Sequence, residues 1–290
     1  MTTVLLTGAT GGVGRALLPA LLERGAAVRA LVRDPARLPA GHGAEVVRGD
    51  LRDPAAVAAA LDGVDAAFLN SPSAPDAAAT QCAVADAAAA AGTGRLVLLS
   101  QLAAREDSPV RFLRWHAAVE RHVRGLGTGH VVLRPNLFLQ GLLAFAGQVA
   151  ATGRFGAPIG DAAVSAVDVR DIAGAAAAVL TGAGDDGAVH DLTGPRAVTH
   201  PEIAAALSAA TGSPVAFDDV EPHAFAAALD GLLPPWQAAG LVEDYAHYAR
   251  GEAARVDDAV ARLTGRPART LEGFTRDHAA AFTPSRTPAA

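Results

Sequence analysis

Residues 7–14 read TGATGGVG, and the spacing of Gly8, Gly11 and Gly14 constrains the fold more tightly than any other stretch of the chain. The run TVLLTG (3–8) before it is short, apolar and β-rich, while RALLPALLERG after it places apolar residues at helical spacing as far as Gly25. A glycine-rich turn from strand to helix is either a plain tight connection or a cradle for a dinucleotide. In the second case Gly8 permits the turn, Gly11 lets the backbone approach a pyrophosphate and Gly14 lets the helix pack closely. Free amides and the positive end of the helix dipole then face the phosphates. The order strand, turn, helix favours the dinucleotide, with Thr7, Gly8, Thr10, Gly11, Gly12, Val13 and Gly14 as candidate contacts.

Further short apolar runs follow at 27–32, 44–49, 64–70, 94–100 and 130–135, most of them separated by helical patterns at 53–61, 76–91 and 109–124. Near-continuous apolar strands alternating with helices specify a parallel sheet covered on both faces, and the doubly wound α/β (Rossmann) class is the default. After Pro135 the alternation loosens. A helical stretch, NLFLQGLLAFAGQVAAT, precedes a glycine- and proline-rich loop (153–160) and a possible strand at 163–167. Helix 170–181 and strand 188–192 are expected to rejoin the sheet edge, while HPEIAAALSAATG, HAFAAALDG and QAAGLVEDYAHYARG form helices of a smaller lobe. The expected organisation is a nucleotide-binding core over 1–135 with 161–193 rejoining the sheet. A small, mostly helical lobe then covers 136–160 and 194–282, followed by a disordered tail over 283–290.

Composition removes several classes of function. A net charge of −6 with scattered arginines offers no basic face for nucleic acid. The single Cys82 makes no internal disulfide, no secretory leader is recognisable, and the longest apolar stretch, near 172–180, falls far short of the roughly 20 residues of a membrane span. A cytoplasmic protein with a small-molecule substrate is expected, monomeric or homodimeric. The chain also has no lysine, so all 24 basic residues are arginine. That excludes P-loop ATPase, Schiff-base and pyridoxal-phosphate chemistry.

Other candidate contacts sit where strands end. Arg33, in LVRDP after the second strand, stands where an acidic residue would mark NAD; its planar fork suits the 2′-phosphate of NADP. Otherwise it is a solvated strand-end charge, with Asp34 capping the next turn or binding the ribose hydroxyls. Asp50, followed by Leu51, ends the third strand and either accepts from the adenine amino group or caps the next helix. Asn70 and Ser71 after the fourth strand, and Ser100 after the fifth, lie at the edge where open α/β sheets bind ligands, although Ser100 serves equally as a strand-end cap.

The segments TGATGGVG, LVRDP, VRGDLRD, LRPNLF and VDVRDIA together resemble the NmrA-like, atypical branch of the short-chain dehydrogenase/reductase superfamily, which includes NAD(P)H quinone and azo reductases. The similarity continues through HDLTGPRAVTHPEIAAALSAATG and AAGLVEDYAHYARG. It implies a Rossmann domain, an NADP-type nucleotide and a small C-terminal lobe closing over the substrate. The superfamily's usual catalytic pair is a tyrosine with a lysine four residues on, then a glutamate four residues later. If Glu120 matches that glutamate, His116 stands at the lysine position and Phe112 at the tyrosine position. His116 is then either a catalytic assistant, bonding the ribose or supplying a proton, or a half-buried histidine paired with Glu120.

Asn136, Phe138, Phe155, Trp236 and Tyr245 are the candidate substrate contacts, with a lobe core as the alternative role for the aromatics. Two functions result: an NADPH-dependent reductase of an electron-poor acceptor such as a quinone, imine or conjugated carbonyl, or an NADP-binding redox sensor without turnover.

Overall fold

The computed structural model describes residues 1–284, so the expectation for the tail lies outside the described residues from 285 on. The chain divides into two compact units. The first comprises Met1–Pro135, Val169–Leu192 and Asp258–Pro267; the second comprises Asn136–Asp168, Thr193–Asp257 and the chain from Ala268.

In the first unit, β1 (Thr3–Thr7), β2 (Ala27–Val32), β3 (Glu45–Arg48), β4 (Ala66–Leu69), β5 (Arg95–Leu99), β6 (Gly129–Pro135) and β8 (Val189–Leu192) form one sheet in the order β3-β2-β1-β4-β5-β6-β8. Every pairing is parallel. The central strands are buried on both faces because helices cover both sides, which is why they read as unbroken apolar runs. Helix α1 (Gly12–Glu23) packs against α6 (Val169–Leu180), and α2 (Pro54–Leu61), α3 (Ala77–Ala90) and α4 (Arg111–Arg124) pack in sequence. Asp53 accepts from Ala55 N at 3.0 Å to cap α2. The doubly wound sheet agrees with the sequence reading and β8 lies at its edge, but α6 packs on the face of the sheet, against α1 and beside β4, β5 and β6, not at the edge.

The second unit carries α5 (Ala146–Thr152), α7 (His200–Thr211), α8 (Pro222–Ala228), α9 (Pro235–Ala249) and α11 (Leu271–His278). It also holds a two-stranded parallel ladder of β7 (Arg154–Ala157) and β9 (Ala216–Asp219). That ladder corrects the loop expected at 153–160: four residues become a strand only because a partner lies some sixty positions on. Conversely, 163–167 is not a strand. Its amides go to different neighbours, Val164 N to Val198 O, Ser165 N to Ala253 O and Val167 N to Leu137 O, leaving isolated bridges. The helix expected from 136 is broken into a 3₁₀ segment, Leu139–Phe145, followed by α5.

The unit boundaries differ from the expected ones in two places. Residues 161–168 belong to the second unit, while α10 (Ala259–Thr264) belongs to the first, where its Thr264 methyl faces Gly174 of α6. Among the described residues no helix is long and apolar enough to cross a membrane.

The second unit's core is aromatic. His200, 1 % exposed in the first turn of α7, has ring centroids 5.1 Å from Phe217, 6.1 Å from Tyr245 and 6.3 Å from Phe155. Neither ring nitrogen has a hydrogen-bond partner among the described residues. Burial pushes its pKa down to about 4, against the opposing charge of Asp219. Because the folded value lies below the ordinary 6.5, the unfolded chain binds the extra proton. The stability held by neutral His200 is therefore complete above pH 6.5 and is lost as pH falls toward 4, by about 3 kcal/mol across the window. His200→Phe should remove that part of the slope in urea titrations run from pH 7 to pH 4. It should not weaken the fold at pH 7, since no hydrogen bond is lost.

Candidate functional site

The glycine turn follows β1 at the centre of the sheet. Gly8 has φ +68°, where L side chains are strained, and its carbonyl accepts from Gly11 N at 3.0 Å. A Cβ on Gly14 would lie 2.2 Å from Gly8 O and 2.7 Å from Ala9 Cα, so helix α1 meets its own turn at hydrogen-only distance. At Gly12 the same Cβ meets nothing within 4 Å. Helix α1 has no side-chain cap and no acidic residue in its first turn, so the leading amides of Gly12, Val13 and Gly14 are left for an anion. This cradle fits a pyrophosphate. Val13 contributes its amide alone, because its side chain is 4 % exposed and belongs to the core.

Thr7 acts differently from expectation. It is 1 % exposed, and its hydroxyl bonds Phe68 O at 2.8 Å and Asn70 O at 2.7 Å while accepting from Asn70 N at 2.9 Å. It ties the end of β1 to the end of β4. Through that tie Asn70 is held over Gly8, where a Cβ would come within 2.9 Å of Asn70 Nδ2.

Arg33 is exposed and makes no hydrogen bond or ion pair with the described residues, while Asp34 caps the following turn by accepting from Ala36 N at 3.1 Å. Arg15, which sequence reasoning passed over, bonds Thr10 O at 3.0 Å and Arg37 O at 2.9 Å. It braces the glycine turn against the loop that carries Arg33, and no motif marked it. After β3, Asp50 accepts from Arg52 N at 3.0 Å, so it turns the loop and leaves the capping of α2 to Asp53. Leu51 beside it is half-buried. Ser71 Oγ accepts from Gln81 Nε2 at 2.8 Å; Gln81 is 6 % exposed and its Oε1 has no partner.

Ser100 is also committed elsewhere. It is 4 % exposed and donates to Glu120 Oε1 at 2.5 Å. Glu120, 1 % exposed, further accepts from Arg134 Nε at 2.7 Å, Arg134 Nη2 at 2.5 Å and Arg124 Nη2 at 2.6 Å. Burial raises its pKa, but these donors outweigh it and hold the carboxyl below its ordinary value. The carboxylate thus fastens the ends of β5 and β6 to α4, and the Ser100 hydroxyl is part of that node.

His116 shares α4 one turn earlier, half-buried, and donates no hydrogen bond to Glu120, whose oxygens accept from Ser100, Arg124 and Arg134. The pairing considered from the sequence is absent. Burial pushes its pKa down to about 4, with Glu120 pulling weakly upward, so the imidazole is neutral at neutral pH. Phe112 packs edge-on against Trp115 with centroids 5.4 Å apart.

In the second unit three of the five expected substrate contacts are buried. Asn136 Nδ2 donates to Ser165 Oγ and Ala253 O, both at 2.8 Å, and its Oδ1 accepts from Leu137 N at 2.8 Å. Phe155 is 0 % and Tyr245 5 % exposed, both within the aromatic core. Phe138 and Trp236 keep partial exposure.

A model of the NmrA-like family matches residues 1–265. The chain belongs to that family. The NmrA-like chain is 37% identical over 282 residues to an NAD(P)H azoreductase of Xenophilus azovorans, covering 96% of this chain and 99% of the relative. It is 40% identical to the (4-alkanoyl-5-oxo-2,5-dihydrofuran-3-yl)methyl phosphate reductase of Streptomyces griseus, covering 97% and 99%. Among solved structures, the NADPH-dependent quinone oxidoreductase of Escherichia coli complexed with NADPH superposes with a TM-score of 0.86 at 30% identity, covering 94% of this chain and 99% of that one.

The glycine contacts yield a paired test. Gly14→Ala must displace backbone and should lose about 1–3 kcal/mol of stability in denaturant titration, whereas Gly12→Ala, in open space, should be neutral or slightly stabilising.

Proposed function

We propose that this NmrA-like protein is an NADPH-dependent reductase that delivers hydride to an electron-poor small-molecule acceptor, a quinone, an imine or a conjugated carbonyl, without a tyrosine/lysine pair. The observation that carries the reading is the uncapped start of α1 beside the unpaired Arg33: three open amides for a pyrophosphate and a free planar cation for a 2′-phosphate. Relatives named as NAD(P)H azoreductase and reductase over nearly the whole chain support the same chemistry.

Bound NADPH would supply the hydride. The protein's share is positioning and electrostatics. Gly12, Val13 and Gly14 hold the pyrophosphate through their amides, Asn70 borders the turn, and Arg33 grips the 2′-phosphate. His116, neutral, offers one N–H to an oxygen or nitrogen gaining charge but holds no spare proton at neutral pH, so it stabilises by hydrogen bonding. Electron-poor acceptors suit such a site because their developing anion is delocalised and water completes protonation.

Arg33→Ala should weaken NADPH by about tenfold or more in a binding titration and leave NADH unchanged, since a charge-assisted contact contributes about 1.5–3 kcal/mol. Equal affinity of the unaltered protein for both nucleotides overturns the assignment.

Turnover is read by NADPH absorbance over a panel of quinones, azo dyes and unactivated ketones. His116→Ala should slow quinone reduction modestly and ketone reduction more, and the unaltered enzyme's kcat/KM should show no inflection near pH 6.5. A panel with no oxidation above background despite tight NADPH binding would leave a nucleotide sensor in place of the reductase.

A further inference from the structure

Sheet order β3-β2-β1-β4 sets four loops side by side at one edge: Asp50 after β3, Arg33 after β2, the glycine turn after β1 and Asn70 after β4. With pyrophosphate at the turn and the 2′-phosphate at Arg33, the base of the nucleotide falls beyond Arg33, at the end of β3. Arg52 stands there. Its backbone N donates to Asp50 Oδ1 at 3.0 Å, its Nε and Nη2 donate to Asp76 Oδ2 and Oδ1 at 2.7 and 2.8 Å, and its Nη1 lies 3.7 Å from Asp50 Oδ1.

Two features of this arrangement call for an explanation. Arg52 and Asp76 are 51% and 49% exposed, and an ion pair in that setting contributes little to stability while immobilising a long side chain. Asp76 also sits at the N-terminal boundary of α3 without making a side-chain cap to it. What the pairing does achieve is orientation. The guanidinium is held along its edges by carboxylates from two different loops, which leaves both faces of the plane without hydrogen bonds. No aromatic ring among the described residues packs on either face. A fixed, flat, half-exposed cation beside the expected base position is a stacking platform for a purine.

Resting on the NADPH reading above, we propose that Arg52 is the adenine-stacking residue of the nucleotide site and that Asp76 and Asp50 are positioning residues that hold its plane. The platform recognises the adenine ring and not the 2′-phosphate, which separates Arg52 from Arg33 by ligand chemistry.

Calorimetric titration of the full chain with adenosine 2′,5′-bisphosphate, adenosine 5′-diphosphate and reduced nicotinamide mononucleotide tests this. Arg52→Ala should weaken both adenosine probes by the same factor, about tenfold, and leave the mononucleotide unchanged. Asp76→Ala, which frees the guanidinium without removing it, should weaken both by a smaller common factor. Arg33→Ala should weaken only the 2′-phosphorylated probe. Thermal midpoints of the Arg52 and Asp76 variants should stay near that of the unaltered protein, as expected for an exposed pair. Unchanged adenosine affinities in Arg52→Ala, or a loss confined to the 2′,5′-bisphosphate, overturn the stacking role while leaving the nucleotide site intact. Failure of the unaltered protein to bind either adenosine probe overturns the nucleotide reading itself.

Discussion

A single hydrogen on the α-carbon of Gly14 is what allows helix α1 to rest on the turn that feeds it, at a distance where any Cβ would meet Gly8 O at 2.2 Å. The rest of the site depends on that contact. It starts the helix immediately after β1, in the middle of the sheet, so that three uncapped amides emerge between the loops bearing Arg33 and Asn70. Thr7 and Arg15 keep the turn in place from either side. Thr7 bonds the end of β4, and Arg15 bonds Thr10 O and Arg37 O.

A second node organises the other end of the same edge. Glu120 is a buried carboxylate, costly unless saturated, and Ser100, Arg124 and Arg134 saturate it. His116, one turn away, lies outside that network, and burial lowers its pKa to about 4, so it is uncharged at neutral pH. The chain has no lysine, and α4 carries no tyrosine.

The second unit shows how scarce aromatics are used. Rings make up only 4% of the residues, and Phe155, Phe217, Phe225, Tyr245 and Tyr248 gather with His200 into one core. Phe155 and Tyr245 both lie in that core, and burial holds the Tyr245 phenol up near 12.

The alternation of apolar runs with helical patterns and the spacing of three glycines were enough to specify a doubly wound parallel sheet with a nucleotide turn, because strand burial, helix periodicity and glycine geometry are local properties written into a few adjacent residues. Arg33 was legible for the same reason: its place at a strand end is set by sequence. Local signals failed where a partner lies far along the chain. Strand β7 exists only beside β9, and the hydroxyls of Thr7 and Ser100 and the amide of Asn136 were bound to distant atoms that no spacing reveals. The tertiary structure alone decided which polar side chains remain open to a ligand, since a polar group's availability depends on what else is packed within hydrogen-bond reach.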